Sequence, residues 1–147
     1  MRILNKFKNT GLAKMLNKYR EGVLIIILVI ILLVSLVFNL LPYEYLPKME
    51  INEVLLHFSN YAVFTFFLTL YLHFQERFNS LNKSCYFYSL LIMILVSTLI
   101  EAGQLYVPHR SFQLSDISAN ITGIIIGIIL ARTFSLVVRN KSRKEIL

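Results

Sequence analysis

The chain has 147 residues, 56% of them hydrophobic, with a mean hydropathy of +0.65 and a formal net charge of +7, whereas a soluble domain of this size is nearer about 45–50% apolar. Its single cysteine, Cys85, excludes a disulfide framework and a cysteine-rich zinc site. The basic residues cluster at the two ends, which suits anionic lipid headgroups, and no RNA- or DNA-binding motif accompanies them, so nucleic acid is not an expected partner.

Residues 1–21 carry Arg2, Lys6, Lys8, Lys14, Lys18 and Arg20, with Leu12, Met15, Leu16 and Tyr19 at i, i+3, i+4, i+7. That spacing predicts a basic amphipathic helix lying on a membrane surface. A disordered basic tail is the alternative for residues 1–10, and Gly11 weakens a continuous helix. Gly22 to Leu41 is apolar apart from Ser35 and Asn39. At about 1.5 Å per residue this run spans a hydrocarbon core of roughly 30 Å. It is longer than the apolar region of a signal peptide and lacks a small-residue cleavage site, so it reads as a span.

Three further spans follow: Asn52 to Phe74, Cys85 to Gln104, and Asp116 to Val138. Short loops make neighbouring helices antiparallel. The expected fold is therefore all-α, a four-transmembrane-helix bundle. Residues 1–21 form the amphipathic segment, 22–138 the membrane domain and 139–147 a basic tail. Arg77 and Lys83 lie in the second loop, and Arg139, Lys141, Arg143 and Lys144 in the C-terminal tail. The first and third loops hold one basic residue each, Lys48 and Arg110. Positive charge marks the cytoplasmic side, so both termini are expected inside. Tyr43, Tyr45 and Tyr106 then form an outer aromatic belt, and Tyr71, Phe74, Tyr86 and Tyr88 an inner one.

The polar residues of the spans gather toward the outer side. On the second helix, Glu53, His57 and Tyr61 stack at four-residue steps, with Asn60 close by. On the third, Ser97, Thr98, Glu101 and Gln104 share a face, and Pro108 stops the helix. On the fourth, Ser115 is a candidate N-cap, Asp116 enjoys the helix dipole, and Asn120, Gly123, Gly127 and Ala131 continue one stripe. Ionisable groups at membrane depth are expensive and tend to mark function. Taken singly, His57 also reads as an interfacial histidine, Asp116 as a helix-start charge and the glycines as packing residues. Glu101 lies within the apolar span and needs a partner, Arg110 or His57. His73 reads as an inner-interface residue and Cys85 as the start of a span.

These residues carry a family resemblance. E-x-x-Q at Glu101 and Gln104, P-x-R at Pro108 and Arg110, then Asp116, Asn120, Gly123 and Gly127 closely resemble the VanZ-like family of small bacterial membrane proteins. So do Glu53, His57-Phe58 and Tyr61, although Val54 stands where the family often has lysine. The resemblance covers roughly residues 45–130. It implies a helical bundle in the bacterial cytoplasmic membrane and a role in cell-envelope stress or teicoplanin tolerance.

Two functional readings follow. In the first, the protein acts on or binds a lipid-linked envelope molecule at the outer leaflet. Arg110 clamps a phosphate or carboxylate, Glu101 and Asp116 are candidate general acid and base, and His57 is a proton carrier or a metal ligand. Gln104, Asn120, Glu53 and Tyr61 line the binding site. No cofactor is expected, and no metal motif supports a metal. In the second reading the protein is a non-enzymatic accessory or structural subunit whose polar cluster clasps the helices. Transport is a weaker third reading, because no pair of broken helices is evident. No oligomeric state follows from the sequence. The orientation is testable. A cysteine placed at 44 or 111 should be labelled by an impermeant reagent from outside the cell and one placed at 79 should not; labelling at 79 overturns the outward-facing site.

Overall fold

The computed structural model describes residues 11–40, 52–75, 78–108 and 113–144, with side chains between 19 and 138. Among the described residues every regular element is a helix. In chain order they are α1 (Gly11–Leu40), α2 (Glu53–Phe74), the single-turn α3 (Asn79–Lys83), α4 (Cys85–Gln104) and α5 (Leu114–Lys144). Four stretches are long and apolar enough to cross a membrane: Tyr19–Leu40, Glu53–Phe74, Cys85–Gln104 and Leu114–Val138. These are the four spans expected from the sequence. The amphipathic segment and the first span turn out to be one helix from Gly11 onward. Residues 1–10, Tyr43, Tyr45, Arg77 and Arg110 lie outside the described residues.

The bundle has its polarity reversed relative to a water-soluble one. Ile26, Leu33, Leu95, Leu99 and Val137 are exposed, while Ser35, Asn39, His57, Thr65, Ser89, Glu101, Gln104, Asp116 and Asn120 are buried. A soluble helix turns an apolar stripe toward its neighbours. Hydrocarbon solvates leucine as well as another helix does, so a membrane bundle is held by close packing of small residues and by interhelical hydrogen bonds. The apolar residues of these helices face outward for that reason. The molecule is a multi-pass helical membrane protein.

Helix ends follow from local chemistry. Asn52 caps α2, its side-chain oxygen accepting from the Val54 amide at 2.9 Å. At the other end, the Gln75 and Phe78 pair closes a small ring. The Gln75 amide donates to the Phe78 carbonyl at 2.7 Å and its oxygen accepts from the Phe78 N–H at 2.8 Å. Asn82 of α3 donates back to the carbonyls of His73 at 2.6 Å and Gln75 at 3.3 Å. α4 ends before Pro108 in tightened turns, with Leu105, Tyr106 and Val107 donating to carbonyls three residues back. The start of α5 departs from expectation. The helix begins at Leu114, and the Gln113 carbonyl accepts from the amides of Asp116 and Ile117. Ser115 is therefore inside the first turn rather than at the cap, and its hydroxyl donates to the carboxylate of Asp116 at 3.3 Å.

The closest helix pair is α2 with α5. A Cβ on Gly123 would collide with the Phe58 carbonyl oxygen, and one on Gly127 would meet the Ala62 carbonyl oxygen at 2.5 Å. Backbone lies directly against backbone, and only glycine leaves the room. α1 joins less intimately. Arg20 donates to the Phe74 carbonyl at 3.3 Å and sits 4.5 Å over the Phe74 ring. Farther along, Asn60 of α2 donates to the Ser35 hydroxyl at 2.8 Å. Gly127→Leu should thus force α2 and α5 apart at an overpacking cost of about 1–3 kcal/mol. The same helix should tolerate Ile121→Leu, because Ile121 is exposed. Thermal melts in detergent check both; a parental melt for Gly127→Leu would show that this face is not the packed one.

Candidate functional site

Three helices contribute to one buried polar cluster. His57 comes from α2, Ser97 and Glu101 from α4, and Asp116 and Asn120 from α5. All five side chains are buried, with Glu101 only 2% and Asn120 0% exposed. The placement follows from the glycine contact. Gly123 packs on Phe58, the neighbour of His57, so the turn above Gly123 brings Asn120 and Asp116 level with the imidazole.

Asn120 is the hub. Its amide nitrogen donates to Glu101 Oε1 at 2.8 Å and to Ser97 Oγ at 3.1 Å. Its oxygen lies 3.1 Å from His57 Nδ1. An amide oxygen only accepts, so the network puts the hydrogen of the neutral ring on Nδ1. The other nitrogen, Nε2, then carries the free lone pair of the neutral ring. It faces Asp116 Oδ2 at 3.8 Å, while Nδ1 stands 3.7 Å from Glu101 Oε1. Both separations are ion-pair distances, longer than a hydrogen bond. One imidazole thus stands between two carboxylates in an apolar bundle. A charge there without its counter-charge would cost several kcal/mol, so each of the three groups needs the others close by.

A second polar layer surrounds this unit. Gln104 is buried and donates to Asn39 Oδ1 of α1 at 3.2 Å, and Asn39 donates to the Ser35 carbonyl at 2.7 Å. The Tyr61 ring is fully buried, and its hydroxyl lies toward Ser97 and Glu101 without a well-formed hydrogen bond. Glu53 is exposed at the first turn of α2, and no bond ties it to the cluster among the described residues. Thr98 also departs from the face assigned to it. It is exposed, and its hydroxyl turns back to the Ile94 carbonyl at 2.8 Å, because it is displaced about 100° around the helix from Ser97. Arg110, expected to pair with Glu101 or Asp116, lies outside the described residues. Among the described residues, no three His, Cys, Asp or Glu side chains are grouped as a metal would require.

The sequence reading did not bring α1 into this site. Its signal was present: Ser35 and Asn39 are a polar pair at i, i+4 in a span whose 18-residue window still has a mean hydropathy of 3.4. Both are buried, at 1% and 6% exposure.

The fold and the cluster define a small multi-span helical membrane protein with a histidine–carboxylate site assembled near one end of its spans. The chain belongs to the VanZ/LLP1 family, whose model matches residues 23–135 and takes in every member of the cluster. No curated protein and no solved structure matches the chain.

Asn120→Ala should cost about 1–3 kcal/mol, because it removes the donor to Glu101 and the acceptor for His57 inside the bundle. Thr98→Ala should be close to neutral, since Thr98 bonds only its own helix at an exposed position. Melting of the purified variants measures both, and equal stability would dismiss Asn120 as the hub.

Proposed function

We propose that this VanZ/LLP1 protein acts at the outer face of the bacterial cytoplasmic membrane, with both termini inside, and that its histidine–carboxylate cluster engages a lipid-linked envelope molecule. One observation carries the reading. His57 stands 3.7 Å from Glu101 and 3.8 Å from Asp116, all three buried in an apolar bundle. Ionisable groups at such depth are costly, and where they occur they serve a binding or proton-transfer task. The charge distribution supports the orientation, because the basic tails and the loop with Arg77 and Lys83 belong on the cytoplasmic side. The opposite orientation would turn the cluster inward.

The chemistry follows from the residue types. The third loop carries Arg110 between α4 and α5, next in chain to Glu101 and Asp116. Its guanidinium suits the bidentate grip of a phosphate or carboxylate. His57 Nε2 then moves a proton between the bound group and Asp116, while Asn120 holds the ring orientation. Gln104 and Tyr61 border the same space, and Glu53 stands at the rim. Basic tails resting on anionic headgroups hold the bundle at its depth. Family membership supports a part in glycopeptide tolerance, of which teicoplanin tolerance is the form to test.

The hub role of Asn120 favours a second reading, in which the cluster is a clasp pinning α2, α4 and α5 in a non-enzymatic subunit. Isosteric variants separate the two. Glu101→Gln and Asp116→Asn preserve shape and most hydrogen bonds while removing charge. On the first reading they abolish the teicoplanin phenotype at unchanged protein level, as does Arg110→Ala. On the clasp reading they lower the amount and stability of the protein, and Arg110→Ala has no effect.

A further inference from the structure

The functional cluster is the end of a longer protic row. On α2, His57, Tyr61, Thr65, Thr69 and His73 recur at every fourth position. On α4, Cys85, Ser89, Met93, Ser97 and Glu101 do the same. Tyr61, Thr65, Thr69 and Ser89 are at most 1% exposed. The two rows run antiparallel and are tied at both ends. His57 meets Glu101 at 3.7 Å at one end, and the His73 ring nitrogen meets the Cys85 thiol at 3.7 Å at the other. This register sets Tyr61 opposite Ser97 and Thr69 opposite Ser89. Met93, opposite Thr65, is the one position of the two rows without a protic group. From His57 to His73 the row covers about 24 Å of helix, most of the roughly 30 Å of a hydrocarbon core.

The hydroxyls of Thr65, Thr69 and Ser89 have no hydrogen-bond partner. A threonine or serine inside a helix ordinarily satisfies itself on the carbonyl four residues back. Thr98, Thr122, Thr133 and Ser135 of this same protein do so. The hydroxyls of Thr65, Thr69 and Ser89 are buried without that bond, where an unmet hydroxyl costs free energy. Side chains four apart on a helix stand about 5–6 Å from each other, the distance bridged by one water with a hydrogen bond to each side. A buried water needs room as well as two to four polar partners; the facing rows provide the partners, and because their oxygens are sealed in this packing, water enters as the helices part.

We propose that this α2–α4 row is a proton path linking the two membrane faces through the His57 cluster. Each hydroxyl or intervening water accepts a proton on one side and releases its own on the other, so no covalent bond changes in net terms. His57 and His73 take up and release the proton at the two ends. Glu101 and Asp116 face the first, Cys85 faces the second, and Arg20 lies at the second end, beside the C-terminus of α2. The net event is one proton moved down the transmembrane proton gradient, with no redox partner. The path goes beyond the binding role of the cluster and does not depend on what the cluster binds.

The test uses the full chain in phospholipid vesicles that enclose a pH-sensitive dye, with valinomycin and a potassium gradient supplying the driving potential. Protein-containing vesicles should pass protons faster than protein-free ones. The Thr65→Val/Thr69→Val double variant should lose most of the protein-dependent flux while melting no lower than the parent, since it removes hydroxyls that lack partners. Ser89→Ala gives a second, smaller deletion should the double variant fold poorly, and it too should lower the flux. Thr122→Val, on the exposed face, should leave the flux intact. Flux no greater than in protein-free vesicles overturns the proposal. So does parental flux from the folded Thr65→Val/Thr69→Val or Ser89→Ala variant. Because no envelope lipid is present, failure here leaves the binding role of the cluster standing, and loss of the teicoplanin phenotype alone does not touch the path.

Discussion

The contact of α5 glycines with the α2 backbone is the constraint on which the rest of this molecule depends. At Gly123 and Gly127 no side chain separates the two helices, and the facing atoms are the carbonyl oxygens of Phe58 and Ala62. Such proximity is what membrane helices use in place of the hydrophobic effect. It also fixes geometry one turn away. Side chains near the contact cannot spread apart, so His57 and Asn120 have to meet. Widening this seam by one side chain would separate the histidine from both α5 partners at once.

The cluster shows why polar groups are tolerated at this depth. Asn120 offers both donors and an acceptor, and it uses all three on groups from two other helices. The arrangement satisfies Asn120 and leaves both His57–carboxylate separations longer than hydrogen bonds, at 3.7 Å to Glu101 and 3.8 Å to Asp116.

Much of this was legible in the sequence. Length and apolar runs place the four spans, and the small-residue stripe on α5 marks the packed face. His57, Glu101, Asp116 and Asn120 were expected at one level, because each lies a similar number of turns from the same ends of its helix. What the sequence could not supply was lateral order. It left open which neighbour takes Asn60 or Gln104, and both turned out to bond α1. Thr98 was misplaced because a residue adjacent to the buried stripe at Ser97 is already turned out of it by the helical step. The cap of α5 was shifted by two residues, since a backbone carbonyl at Gln113 does what a side-chain signal was expected to do. The His73–Cys85 contact joins residues to which the sequence alone assigned no role; they become a pair only once the antiparallel register is known.

The Asn39 bond to the Ser35 carbonyl bears on how the protein is made. α1 leaves the ribosome ahead of α2 and α4, so it meets lipid before either exists to receive it. A bare asparagine amide in hydrocarbon would oppose that step. Here the amide is already engaged within its own helix, 2.7 Å from a carbonyl one turn back. The Asn39 oxygen remains to accept from Gln104 of α4, and the Ser35 hydroxyl remains to accept from Asn60 of α2. The first helix therefore enters the bilayer partly self-contained and is recruited afterwards, so that insertion and assembly become two separable stages of biogenesis.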